Sequence, residues 1–283
     1  MNARDVDGFE AIVDAFDALV IDQFGVLHDG AHAYAEAAPC LERLHVAGKR
    51  MAVLSNSGRR ARRNAELLAR LGLPLGALDA VITSGEVAWQ ALRARADSFH
   101  RGLGRRCVLI AADGDADFID GLELEAVPAV ADAEFVLAVT TGASRDIVAE
   151  LEPMLRAGVA RGLPLLCANN DVVRPAGREL VPAPGALAKR YLELGGKVHS
   201  YGKPLRSFFE HCLAALGGPA PERVLMVGDS LEHDMAGARD AGIGSVFIRG
   251  GIDAHASCDE LAARAAALGV SPTYAMDRFR WAP

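Results

Sequence analysis

Four short segments of the 283-residue chain carry side chains suited to phosphate and cation chemistry. Asp22 stands directly after the apolar run Ala18 to Ile21, in Ile21-Asp22-Gln23-Phe24-Gly25-Val26-Leu27. A carboxylate just past the C-terminal end of a buried strand lies where ligands collect in open α/β sheets. It could attack phosphorus or bind a metal ion, or serve as an ordinary turn residue. Gly228-Asp229-Ser230, with Asp234 five residues after Asp229, follows a second apolar run. Two acids at one strand end suit Mg²⁺, which takes oxygen ligands and keeps several waters. The plainer alternative is a pair of acids favoured by a helix N-terminus. Leu54-Ser55-Asn56-Ser57 offers a hydroxyl and backbone amides where a strand yields to a helix. That setting fits a phosphate oxygen or an N-cap. Tyr201-Gly202-Lys203-Pro204 places a lysine just before a helix, either presenting its ammonium at the same sheet edge or simply solvated.

The elements that must position these residues read as alternating strands and helices. Strands are expected at Ala18 to Ile21, Lys49 to Leu54, Ala80 to Ile82, Cys107 to Ala111, Phe135 to Val139, Leu163 to Cys167, Arg223 to Val227 and Ser245 to Ile248. Short apolar runs bounded by turn residues suit strands covered on both faces, as in a parallel sheet. Helical periodicity is expected over Ala61 to Leu73, Arg145 to Leu155 and Pro204 to Leu216. This alternation implies βαβ units and an α/β fold. The chemistry-bearing segments cluster toward the two ends. Residues 84–198 contain none of them and read as a second α/β unit inserted into a core of residues 1–83 and 199–283.

Composition narrows the functional classes. The formal net charge is −7 and the isoelectric point about 5.6, against the basic surface that nonspecific nucleic-acid binding requires. No run is long and apolar enough for a bilayer, and the N-terminal stretch lacks a basic-then-apolar signal pattern. A cytoplasmic location is expected. Cys40, Cys107, Cys167, Cys212 and Cys258 form no C-x-x-C pair and read as scattered buried thiols.

Taken together and in order, the four segments resemble the motifs of the haloacid dehalogenase superfamily: a nucleophilic Asp, a Ser/Thr, a Lys, and a G-D-x-x-x-x-D acid pair. Gly25-Val26-Leu27, Ser55-Asn56 and Gly202-Lys203-Pro204 look like the branch, subfamily IIA, that includes NagD-like proteins and the phosphoglycolate and pyridoxal phosphatases. That branch carries a large α/β cap between its second and third motifs, on a Rossmann-like core with a parallel sheet. Cys167-Ala168-Asn169-Asn170-Asp171 and Val181-Pro182-Ala183-Pro184-Gly185-Ala186 resemble its cap strand, Asn-x-Asp loop and Gly-led helix.

The resemblance implies a Mg²⁺-dependent phosphatase of a small phosphorylated metabolite. Asp22 would form an aspartyl-phosphate that water hydrolyses. Asp22, the Phe24 carbonyl and Asp229 would hold the metal, and Asp234 would support its shell. Ser55, Asn56 and Lys203 would bind the transferring oxygens. Asn170 and Asp171 are candidates for substrate contacts, and a homodimer through the cap is ordinary for the branch.

One departure stands out. Family phosphatases carry a second aspartate two residues after the nucleophile, as general acid and base, where this chain has Phe24. Dehalogenases of the superfamily also have an aromatic residue there, but they need no metal and have smaller caps. Asp229 and Asp234 favour the metal-dependent reading. A phosphometabolite-binding module with little catalysis is the alternative. His28 could replace the missing acid, or be a surface loop histidine. Asp113, Asp115 and Asp117 imitate a calcium loop but lack its glycine and glutamate. Gly102-Leu103-Gly104 lacks the third glycine of a dinucleotide loop. Arg59, Arg60, Arg62 and Arg63 read as a solvated helix face.

Overall fold

The computed structural model describes residues 3–176, 179–251, 253–254 and 256–282. Its contacts divide the chain into two compact units. Met1–Ser55, Arg62–Ile82 and Lys203–Pro283 form one, and Asn56–Ala61 with Thr83–Gly202 form the other.

The first unit is built on a seven-stranded sheet. Its order is Arg4–Asp5, Tyr274–Met276, Gly244–Ile248, Val224–Gly228, Ala18–Ile21, Arg50–Ser55, Ala80–Thr83. Every pair from Arg4–Asp5 to Arg50–Ser55 is parallel. All residues of Ala18–Ile21 and Val224–Gly228 are buried, so both faces of the sheet centre are covered. Phe9, Phe16, Leu19, Ile21, Leu41, Val53, Val227 and Phe279 belong to the core on one face. Each large apolar side chain so buried contributes about 1.5–3 kcal/mol.

The second unit has a five-stranded parallel sheet, ordered Lys197–Ser200, Pro164–Cys167, Phe135–Ala138, Arg106–Ile110, Glu125–Ala126. Trp89, Phe118, Phe135 and Tyr201 pack in one of its clusters. Leu155, Leu165, Leu187 and Tyr191 pack in another. An antiparallel hairpin, Val173–Ala176 with Glu179–Pro182, stands apart from this sheet.

The α/β class and parallel sheets expected from the apolar runs are observed. Several expected features are corrected. The helix Ala61–Arg70 begins too late for Ser55, Asn56 or Ser57 to cap it. The helix expected from Pro204 begins at Arg206, and the one expected to end at Leu155 runs from Ile147 to Ala160. Of the arginine run, Arg62 is exposed and pairs with Glu66, as a solvated face requires. Arg59 and Arg60 precede the helix and are engaged: Arg59 Nε meets both oxygens of buried Asp115 at 2.9 and 3.1 Å, and Arg60 pairs with Glu86 across the face of Trp89. The cysteines are free and buried except Cys258, which is exposed. Among the described residues no helix is long and apolar enough to cross a membrane.

Candidate active site

Strand register brings the acids together. Ile21 pairs with Val227 in the central parallel ladder, and the Asp22 N–H donates to the Val227 carbonyl at 2.9 Å. Asp22 and Asp229 are the first residues past these two neighbouring strands. Ser55 ends the next strand, whose Val53 pairs with Ile21. Parallel strands of similar length thus deliver one residue each to the same edge of the sheet.

Asp234 arrives by a different route. Ser230 caps a π-helical turn, Leu231–Met235, by accepting the His233 N–H. Met235 N–H bonds the Ser230 carbonyl at 3.1 Å, the wide i→i+5 pattern. Asp234 Oδ2 accepts the Ser230 N–H at 3.1 Å, which turns its carboxylate back toward the strand end. The Asp22, Asp229 and Asp234 carboxylates offer oxygens that all lie within 4.8 Å of one another.

Lys203 completes the cluster. Its Nζ lies 2.6 Å from Asp22 Oδ1 and 2.7 Å from Asp234 Oδ1, and the side chain is buried rather than solvated. Burial alone would push the ammonium's pKa down. The facing carboxylates of Asp22 and Asp234 outweigh that and hold it above the ordinary lysine value.

Three glycines shape the walls. Gly25 has φ of +81°, which favours glycine, and a methyl group built on it would lie 1.9 Å from Asp229 Oδ2. One on Gly251 would lie 2.1 Å from the same oxygen, and one on Gly228 would fall 2.2 Å from Asp234 Cγ. Gly251 had no signature in the sequence, because its relation to Asp229 exists only in the folded unit. The all-oxygen donor set and this close backbone enclosure fit a small hard cation.

The loop after Asp22 closes on itself. The Gln23 carbonyl accepts the Leu27 and His28 N–H groups, and Gly25 N–H donates to the His28 carbonyl. Phe24 is half-buried, with its ring edge-on to His28 at 6.0 Å between centroids. His28 is buried, not a surface histidine. Its Nδ1 accepts the Gly30 N–H at 2.9 Å, so a neutral ring carries its proton on Nε2, which is buried with no partner among the described residues. Burial lowers the imidazole pKa below its usual value, with Asp29 opposing.

The remaining candidates lie in the second unit. Asn56 Nδ2 donates to Asp171 Oδ1 at 2.7 Å, and Asp171 N–H donates to Asn169 Oδ1 at 2.8 Å. The Ser84 hydroxyl, missed by motif reasoning, lies 2.8 Å from the Asn56 carbonyl and 2.6 Å from that of Ala168. Gly185 opens the helix Pro184–Glu193, and a methyl group there would meet the carbonyls of Asn170 and Asp171 at 2.5 Å. The glycine is what lets the Asn169–Asp171 loop sit on the helix start.

Comparison with known proteins agrees with this architecture. The family described as haloacid dehalogenase-like hydrolase matches residues 19–125, and a second, HAD-hydrolase-like family matches residues 200–280. A hydrolase of the haloacid dehalogenase-like family from Brucella suis superposes with a TM-score of 0.84 at 27% identity, covering 97% of this chain and 99% of that one. The D-glycerol 3-phosphate phosphatase of Mycobacterium tuberculosis is 27% identical over 249 residues, 86% of this chain and 66% of that protein. Across the curated relatives it matches, the aligned stretch spans between 20% and 66% of their length. Crystal structures of glycerol phosphate phosphatase from Mycobacterium tuberculosis are complexes with calcium (TM-score 0.64, 25% identity, 85% of this chain and 68% of that one) and with magnesium (0.66, 24%, 93% and 76%). The chain belongs to the haloacid dehalogenase-like hydrolases.

Proposed function

We propose that the protein is a Mg²⁺-dependent phosphatase of a small phosphorylated metabolite, acting through an aspartyl-phosphate on Asp22. The observation that carries this reading is the cluster of three carboxylates beside one buried ammonium, at the edge where two neighbouring strands end. Asp22, the Phe24 carbonyl and Asp229 would hold the cation, with Asp234 supporting its shell. Bound there, Mg²⁺ would offset the repulsion between an attacking carboxylate and a phosphate dianion.

The Asp22 carboxylate attacks phosphorus, the P–O bond to the leaving group breaks, and water then cleaves the acyl phosphate to return Asp22 and release phosphate. Lys203 holds Asp22 in place through its ion pair and faces the transferring oxygens with a fixed positive charge. Ser55 and the Asn56 amide are assigned to the same oxygens. His28, Asn170 and Asp171 are assigned to substrate contacts.

A panel of phosphorylated sugars, polyols, nucleotides and cofactors, assayed with and without Mg²⁺, tests the reading. Glycerol phosphate belongs in it, given the named activity of the mycobacterial relative. Phosphate release that requires the cation is expected. Tight binding of one compound without turnover of any would favour a binding module, the alternative that Phe24 keeps open. Asp229→Ala should abolish Mg²⁺ binding measured by calorimetry, because it deletes the carboxylate enclosed by Gly25 and Gly251. Undiminished Mg²⁺ affinity in that variant would remove this cluster from consideration as the cation site.

A further inference from the structure

We propose that Arg264 is a positioning residue for the acidic cluster, tying together the two loops that orient Asp234 and wall Asp229. The inference rests on the reading of Asp22, Asp229 and Asp234 as a cation site.

Arg264 projects from the helix Cys258–Leu268, which is fixed at both levels needed for a strut. A capping box holds its first turn: Ser257 Oγ accepts the Glu260 N–H, and Glu260 Oε2 accepts the Ser257 N–H at 2.8 Å. Leu261 and Ala265, four residues apart and both buried, anchor one face. From this fixed base one guanidinium reaches two carboxylates. Nη2 lies 2.9 and 3.1 Å from the two oxygens of Glu232, and Nη1 lies 2.8 Å from Asp253 Oδ1.

The places of those partners give the contact its significance. Glu232 sits in the π-helical turn Leu231–Met235, two residues before Asp234. Such a turn is uncommon and holds its shape through its surroundings. Asp253 lies two residues after Gly251, whose backbone encloses the Asp229 carboxylate. Asp253 Oδ2 is buried without a partner among the described residues, so the bond from Arg264 is what compensates that carboxylate. Removing the guanidinium frees the Asp234 turn and leaves the Gly251 loop with a poorly satisfied buried charge. Both walls of the cation site then lose their registration together, although no atom of Arg264 needs to touch the cation.

The test is calorimetric titration of the full chain with Mg²⁺ alone, alongside thermal melting. Arg264→Ala is expected to weaken Mg²⁺ binding about 10-fold or more, the range seen when groups that orient metal ligands are removed. Arg264→Lys should recover part of the loss, since one ammonium cannot span both carboxylates with the fork geometry of a guanidinium. Arg223→Ala is the control. It breaks the ion pair with Asp17 at the opposite end of the strand Val224–Gly228, and should affect melting without affecting Mg²⁺ affinity. Should Arg264→Ala fail to fold, Glu232→Gln severs only the arm to the Asp234 turn and is expected to weaken binding in the same direction. Wild-type affinity in Arg264→Ala, or in Glu232→Gln where Arg264→Ala does not fold, overturns the inference. A wild-type chain that takes up no Mg²⁺ overturns the cation-site reading itself, and this inference with it.

Discussion

Asp22→Asn should remove phosphate release by about 10⁴-fold or more, as expected when a reaction loses its nucleophile, and leave the protein folded. Asparagine keeps the shape of the side chain but has no charged oxygen to attack phosphorus. The fold should survive because Lys203 keeps its second partner: Asp234 Oδ1 lies 2.7 Å from Nζ. Deleting the sole partner of a buried charge is strongly destabilising, but here the ammonium remains paired and one of three mutually repelling carboxylates is gone. Turnover on the best substrate of the panel and a melting curve decide the matter. Near-normal turnover in the variant would rule out the covalent route.

The second large effect is expected at Phe24. A phenyl ring cannot protonate a departing alkoxide, so the wild-type protein should be slow on alkyl phosphates and faster on aryl phosphates, whose leaving groups depart with little protonation. Phe24→Asp should raise kcat on alkyl phosphates by up to roughly 10²–10⁴-fold, the usual contribution of a positioned acid-base group. The pocket moderates the gain. Phe24 is half-buried against His28 and close to Gly30, so a carboxylate there inherits space shaped for a ring. The measurement is kcat for one alkyl and one aryl phosphate, in wild type and variant, at saturating Mg²⁺. Fast wild-type turnover of the alkyl substrate with no gain in the variant would show that another group already supplies the proton, and His28→Ala would then be the variant to measure.

Most of the sheet centres were legible because their strands are apolar on both faces. Ala18–Ile21 and Phe135–Ala138 could hardly be read otherwise, and the acid after Ile21 followed from the same reading. Four of the strands that escaped lack that signal. Arg4–Asp5 and Glu125–Ala126 are exposed, and the hairpin Val173–Ala176 with Glu179–Pro182 mixes arginine, proline and glutamate at a place with no alternation. His28 looked like a loop residue because Asp29-Gly30 follows it, and its burial depends on the loop folding back so that Gly30 donates to its ring. Arg264 was invisible for another reason. Its partners lie 11 and 32 residues away, and only the folded unit brings an arginine, a glutamate and an aspartate to one point.

The buried ammonium of Lys203 also sets an electroneutrality condition. Three carboxylates and one ammonium carry a formal charge of minus two, at largely buried positions where solvent screens it less than at the surface. A monovalent ion leaves that cluster anionic and a trivalent one makes it cationic, whereas a divalent ion brings it to zero. Net charge, as well as ligand geometry, would therefore select the valence of a cation held there. Because the folded chain gathers these charges and the unfolded chain disperses them, any ion that balances them stabilises the native state by mass action. Heat resistance should therefore rise with divalent-cation concentration even when no substrate is present.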